Sequence, residues 1–131
     1  MWLFTRVGFF SIVEKPEDRG QDRLTVRARV RADLAALRGR YLPELGPVSD
    51  RGGDYRYHAK APRRSVARAL AAAVADIDYA NFKNEVARAQ GPVRHDLYAR
   101  VWDVMYELQQ PTHPAARPPR PRRRRVVRRE S

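Results

Sequence analysis

The clearest pattern in the chain is a strict alternation of apolar and polar residues over positions 24–31, which read LTVRARVR. A period of two over this length predicts a β-strand with one buried face and one solvent-facing face. We expect the core to form on the leucine and valine side, which leaves Arg27 and Arg29 on the outer face.

Two further segments have strand character. Positions 2–15 are rich in aromatic and β-branched residues, and Gly8 interrupts them either as a bulge or as the bend of a hairpin. A polar loop over 17–23 leads from them to the strand at 24–31, so these strands are predicted to pair in antiparallel fashion. Positions 54–61 alternate again, with tyrosines and alanines on one side. The other side of that strand carries Arg56, His58 and Lys60.

Helical spacing of apolar residues follows the strand at 24–31 and the strand at 54–61. Leu34 and Leu37 belong to a predicted helix that ends before Pro43, and the proline- and glycine-rich positions 43–53 predict a loop. Ser65 is the predicted N-cap of a second, alanine-rich helix. The core stripe of this second helix is predicted to be Val66, Leu70, Val74 and Ile77.

Two more helices are predicted toward the C-terminus. Asp78 and Asn81 are alternative caps for the first of them, which ends at Gly91. The last helix is expected to run from about His95 to Gln109. Its inward stripe is predicted to be Leu97, Val101, Met105 and Leu108. An adjacent stripe at four-residue spacing carries Tyr98, Trp102 and Tyr106.

These elements predict an α+β fold. The order strand, strand, helix, strand, helix is expected to give a small antiparallel sheet with helices on one face, followed by two more C-terminal helices. Residues 1–110 are predicted to form one domain. Residues 111–131 are a Pro/Arg-rich segment that cannot supply a hydrophobic core, and they are predicted to be disordered.

Composition argues against catalysis. The chain has no cysteine, which excludes disulfides and thiolate metal sites, and its three histidines do not have the spacing of a zinc site. It contains no nucleophile elbow, P-loop or dinucleotide-binding fingerprint. We therefore predict a non-enzymatic protein with no cofactor and no metal.

Charge points instead to polyanions. The formal net charge is +12, of which residues 111–131 contribute +7. An arginine-rich segment of this kind attracts nucleic acid or another polyanion by counterion release, although it can also be merely solubilising. Its arginines are Arg117, Arg120, Arg122, Arg123, Arg124, Arg125, Arg128 and Arg129.

A second basic surface is predicted on the sheet. If the strands at 24–31 and 54–61 share one sheet, one of its faces carries Arg27, Arg29, Arg56, His58 and Lys60. A basic sheet face can follow a phosphate backbone, with Phe9 or Ser11 adding a contact. Alternating arginines are also ordinary on an exposed strand, and the C-terminal helix could instead cover this face.

The remaining signals concern partners and location. The stripe of Tyr98, Trp102 and Tyr106 is typical of a core, with a contact to a protein partner or to a second copy as the alternative. The apolar opening segment contains Arg6 and lacks a cleavage site, and the chain has no run of about 20 apolar residues. We therefore predict a cytoplasmic protein without a membrane span.

The chain resembles a group of small, uncharacterised bacterial proteins over about residues 1–109. The resemblance rests on MWLFT at 1–5, GFFS at 8–11, LTVRAR at 24–29, DY at 54–55 and 78–79, NFK at 81–83, and Tyr98, VW at 101–102 and MY at 105–106. It implies a bacterial, cytoplasmic, single-domain protein and does not include the tail. If the group shares NFK, Lys83 lies on a contact surface.

Together these features predict a non-enzymatic protein that associates with nucleic acid, RNA rather than DNA, or with a ribonucleoprotein. The tail would supply charge and the sheet face would supply register. The alternative is a protein-interaction or adaptor module that docks through the last helix at Tyr98, Trp102, Tyr106 and Lys83.

Overall fold

A computed structural model describes residues 1–110 of the chain. Five strands form one fully antiparallel sheet in the order β1-β2-β3-β5-β4. The strands are β1 Trp2–Thr5, β2 Gly8–Val13, β3 Arg23–Ala28, β4 Ser49–Asp50 and β5 Tyr57–Pro62. The helices are α1 Arg31–Arg40, α2 Arg63–Ala75, α3 Phe82–Gln90 and α4 Pro92–Met105, with 3₁₀ turns at Pro16–Asp18 and Tyr106–Gln109. The predicted α+β class is confirmed.

The core lies on one face of the sheet, as the alternation predicts. Val26 and Ala28 of β3 are fully buried there, together with Phe10 of β2. Helices α1 and α2 cover this face with Leu34 and Val66. Burial of such a cluster is the main source of stability in a domain without disulfides.

Helices α3 and α4 pack on each other beside the β1–β2 turn. Gly8 begins β2, so this glycine marks a hairpin and not a bulge. The turn residue Arg6 is buried and donates to the Asp76 carbonyl at 2.7 Å, to Asp78 at 2.9 Å and to Glu85 at 3.3 Å. Asn81 caps α3 by accepting from the Asn84 amide, which selects one of the two predicted caps.

A second ion pair ties the helices to the sheet. Asp33 at the start of α1 accepts two hydrogen bonds from Arg94 of α4, at 2.8 and 3.1 Å, and a third from the Phe9 amide at 3.0 Å. A Cβ atom at Gly8 would lie 2.6 Å from the Asp33 side chain. The close approach of α1 to the hairpin therefore requires glycine at this position.

Several predicted details are wrong. Helix α2 begins at Arg63 with Pro62 as N-cap, so Ser65 lies inside the helix and is buried. Val74 is 67% exposed, and Ile77 follows the helix and is also exposed. The stripe predicted to face inward in the last helix is also exposed. It comprises Leu97, Val101, Met105 and Leu108.

The strand ends and the loop also differ from prediction. Strand β3 ends at Ala28 and β5 begins at Tyr57, so Arg29 and Arg56 lie just outside the strands. The predicted loop contains the short edge strand β4, because Ser49 and Asp50 pair with β5. None of the helices within residues 1–110 is long and apolar enough to cross a membrane.

Candidate nucleic-acid interface

Three of the predicted basic residues lie on the sheet face opposite the core. The β3–β5 register places Arg27 opposite His58 and Thr25 opposite Lys60. The neighbouring pair of β2 and β3 places Ser11 opposite Arg27. The condition for a shared basic face, that these strands belong to one sheet, is therefore met.

Lys60 is bound within the protein. Its Nζ donates to the Asp18 carboxylate at 2.6 Å, to the Thr25 hydroxyl at 2.8 Å and to Glu17 at 3.3 Å. The 3₁₀ turn Pro16–Asp18 folds over this part of the sheet and brings both carboxylates to the amine. Lys60 therefore holds the turn in place and adds little free positive charge to the face.

Asp18 is the centre of this contact. Its buried carboxylate also accepts from Arg23 Nε at 2.9 Å, from the Thr25 hydroxyl at 2.6 Å and from the Lys15 amide at 3.0 Å. Burial alone would raise the pKa of Asp18, but the hydrogen bonds from these donors and from Lys60 hold that pKa well below its usual range. Asp18 is thus ionised and structural, and the sequence analysis assigned it no role.

His58 adds no charge to the face at neutral pH. Its Nε2 donates to the Tyr55 carbonyl at 2.9 Å, because a carbonyl can only accept. Burial lowers the pKa of His58, and the charges of Lys15, Arg27 and Arg51 lower it further. The imidazole therefore acts as a neutral packing group that fixes the loop before β5.

Arg27 is half-buried. Its Nη2 donates to the Ser11 hydroxyl at 2.7 Å, and its guanidinium carbon lies 4.6 Å from the centre of the Tyr55 ring. Within residues 1–110 its Nε and the Tyr55 hydroxyl are buried and have no hydrogen-bond partner. Arg27 therefore packs against the Tyr55 ring and helps to fix its position. Only part of the Arg27 side chain is available at the surface.

An exposed cluster of arginines forms at the end of the sheet, around Tyr55 and Tyr57. The guanidinium group of Arg29 lies over the Tyr55 ring at 4.7 Å. Those of Arg31 and Arg56 lie over the Tyr57 ring at 5.0 and 5.4 Å. We call this surface the arginine–tyrosine cluster; its members are Arg27, Arg29, Arg31, Arg56, Tyr55 and Tyr57.

The cluster is only partly neutralised. Asp54 accepts from Arg29 at 3.0 Å, and Asp50 accepts from Arg56 at 3.1 and 3.0 Å. Four arginines therefore face two carboxylates, which leaves a surplus of two positive charges. The sequence analysis placed Arg31 at the end of the predicted strand and gave it no binding role, whereas in the structure it begins α1 and lies over Tyr57.

A row of aromatic rings continues from the cluster across the same sheet face. Tyr55 lies 6.3 Å from Phe9, and Phe9 lies 4.5 Å from Phe4 in a stacked pair and 6.0 Å from Trp2 in an edge-on pair. Trp2 is 67% exposed. The face thus joins ordered arginines to an accessible indole ring, the combination of charge and stacking surface used for single-stranded nucleic acid.

A small cleft of about 200 Å³ opens beside the cluster, between the 3₁₀ turn and the chain around β4. Its walls include Ser49, Arg51, His58 and Lys60. Arg51 is the exposed cation there, and its Nε donates to the Ser49 hydroxyl at 3.3 Å. Among residues 1–110 no group of three or more histidine, aspartate or glutamate side chains has a geometry suited to a metal ion.

The residues predicted to bind a protein partner divide into two groups. Tyr98 is only 8% exposed and packs between Phe4, at 5.1 Å, and Phe82, at 6.1 Å. It is therefore not accessible to a partner. Trp102 and Tyr106 stack at 5.3 Å and are exposed, and Lys83 Nζ lies 4.5 Å from the Trp102 ring.

The predicted tail site lies outside the described residues, because all of its arginines fall within 111–131. No protein-family model, no curated protein and no solved structure matches the chain. The resemblance to uncharacterised bacterial proteins therefore stays a prediction.

Proposed function

We propose that the protein binds single-stranded nucleic acid, RNA in preference to DNA, through the arginine–tyrosine cluster and the arginine-rich tail. The observation that carries the proposal is the placement of Arg29, Arg31 and Arg56 over two tyrosine rings, with Phe9 linking Tyr55 to the exposed Trp2. Of the predicted basic sheet face, this proposal keeps Arg27, Arg29 and Arg56. It leaves out Lys60 and His58, because both have structural roles.

Contact with a tyrosine ring prepares an arginine to bind phosphate. A guanidinium group held flat on a ring loses less conformational freedom on binding, while its edge still offers N–H donors to phosphate. Its outer face can also stack on an unpaired base. The surplus positive charge of the cluster favours a polyanion over a neutral ligand.

The aromatic row favours a single strand over a duplex. Bases stack on an exposed ring such as Trp2 only when they are unpaired, and each such contact is worth about 1–3 kcal/mol. The path from Arg29 through Tyr55 and Phe9 to Trp2 follows the sheet face opposite the core. Arg31 and Arg56 flank its end at Tyr57. A single-stranded segment can follow this path and place phosphates at the arginines and a base at the indole.

The test is binding of a fluorescent single-stranded RNA by the full chain, monitored by anisotropy at low salt. We expect the double variant R29A/R31A to weaken binding by roughly tenfold, because two ordered phosphate contacts are lost. Trp2→Ala is expected to weaken binding by about fivefold or more through loss of stacking.

The matched control is R64A/R68A on α2, which removes the same charge from exposed positions outside the proposed face. We expect this control to lower affinity by no more than about twofold, because its charges act only at long range. Equal losses in the control and in R29A/R31A would reject the cluster as the site and leave only net charge. If an unlabelled duplex displaces the labelled single strand as effectively as an unlabelled single strand does, the protein does not select single strands.

A second function, as a protein-interaction module, has one specific observation in its favour. The outer face of α4 exposes Leu97, Val101, Trp102 and Val104. Contiguous apolar surface of this kind is unusual on a monomer that has no partner.

A further inference from the structure

We propose that the outer face of α4 pairs with the same face of a second copy of the chain, with the two helices antiparallel. The face consists of Leu97, Val101 and Val104 of α4 together with Leu108 of the 3₁₀ turn Tyr106–Gln109 that continues it, and we call these four residues the α4 stripe. All four side chains are exposed, Leu108 to 79% and Val104 to 60%. The proposal goes beyond nucleic-acid binding and does not depend on it.

The spacing of the α4 stripe is that of a helix–helix seam. Its members follow one another at intervals of four, three and four residues. Within α4, Leu97, Val101 and Val104 have the alternation of a and d positions that places knobs of one helix into holes of another, and Leu108 extends the stripe from the 3₁₀ turn. The buried side of α4 lies elsewhere, at Tyr98 and Arg94, which contact the rest of the domain.

Charge complementarity selects a second copy in the antiparallel orientation. When Val101 of one copy meets Val104 of the other, Leu97 meets Leu108 at the ends of the seam. The same register brings Arg100 of each copy opposite Glu107 of the other, giving two flanking ion pairs. A parallel pair would place Arg100 beside Met105 and would leave both charges without a partner in the seam.

The tail is a poor alternative occupant. Residues 111–131 contain only two large apolar side chains, the adjacent Val126 and Val127, and are otherwise dominated by arginine and proline. Such a segment cannot match four apolar positions spread over three helical turns. A second α4 stripe supplies the matching apolar residues in the right order.

The experiment is sedimentation equilibrium of the full, nuclease-treated chain over a range of concentrations at low salt. We expect a mass approaching twice the 15.2 kDa of one chain. Val101→Glu should give the monomer mass throughout, because it places two carboxylates in an apolar seam. A wild-type chain that stays monomeric at millimolar concentration would overturn the proposal.

Charge reversal tests the orientation. Arg100→Glu and Glu107→Arg are each expected to weaken the dimer by roughly tenfold, since each change converts two attractive pairs into two repulsive ones. An equimolar mixture of the two variants should recover association, because both pairs between unlike chains are again opposite in sign. If the mixture dimerises no better than either variant alone, the antiparallel pairing is wrong.

Two controls separate association from folding. Arg64→Glu on α2 makes the same charge change as Arg100→Glu at an exposed position away from the stripe, and it should leave the dimer unchanged. Thermal unfolding followed by circular dichroism shows whether each variant folds. If Val101→Glu does not fold, the recovery experiment still decides, because Arg100 and Glu107 are both exposed.

Discussion

Asp18→Ala is expected to lower the free energy of unfolding by about 3 kcal/mol, because charge-assisted bonds from Lys60, Arg23 and a buried threonine are lost together. The exposed fraction of the Arg23 side chain is 37%, so water replaces part of its lost contact. The Thr25 hydroxyl is buried and loses its carboxylate acceptor. Urea unfolding monitored by tyrosine and tryptophan fluorescence measures the change.

The neighbouring Glu17→Ala is the matched control. Glu17 also contacts Lys60, but it is half-exposed, so its removal should cost only a small fraction of the Asp18 effect. Equal effects of the two substitutions would show that Asp18 has no special role in holding the 3₁₀ turn.

The stabilisation by Asp18 should depend on pH in a defined direction. A carboxyl group whose folded-state pKa is depressed contributes its full stabilisation above its unfolded-state pKa of about 4 and loses it as the pH falls. The stability difference between the wild type and Asp18→Ala should therefore be constant from pH 7 to 5. It should shrink below about pH 4. A difference that persists undiminished at pH 2.5 would contradict this assignment.

The second large effect is expected at Arg6. Arg6→Met keeps an apolar stem but removes the contacts to the Asp76 carbonyl, Asp78 and Glu85 that join the β1–β2 turn to the start of α3. We expect a loss of about 3 kcal/mol, because the buried arginine joins three groups and the Asp76 carbonyl and Asp78 lose this donor, while Glu85 keeps its bonds to Arg88. Hydrogen exchange should show the loss of protection concentrated in α3 and α4.

The control for Arg6 is Arg88→Ala, which removes the other, exposed arginine that contacts Glu85. It should leave exchange in α4 close to that of the wild type. If Arg6→Met destabilises the sheet and α3 to the same extent, the helices do not depend on this turn and our view of their attachment is wrong.

The sequence predicts the fold well where a short periodicity decides burial. The alternation at 24–31 identifies the buried side of β3, and Gly91 ends α3 as expected. The same periodicity does not identify the buried side of α4, because the apolar residues of this helix lie on more than one side. Periodicity alone cannot decide whether Tyr98 or Leu97 faces the domain, because that choice depends on the position of Phe4 and α3 in three dimensions.

The candidate site is less predictable than the fold. Position parity correctly places Arg27, His58 and Lys60 on one face, but it cannot reveal that Asp18, from a loop, neutralises Lys60. Nor does any local pattern bring Arg31 to Tyr57, since the contact joins the start of α1 to β5. Loop carboxylates and helix ends decide which cations stay free, and their positions follow only from the folded chain.

We expect the folded domain, and not only the tail, to contact phosphate. The most direct test is the salt dependence of RNA affinity for the full chain and for its R29A/R31A variant. If both arginines contact phosphates, the variant should bind more weakly, and the slope of log K against log salt should be shallower by about 1.4. An unchanged slope with unchanged affinity would show that the two arginines contact no phosphate and would assign binding to the tail alone.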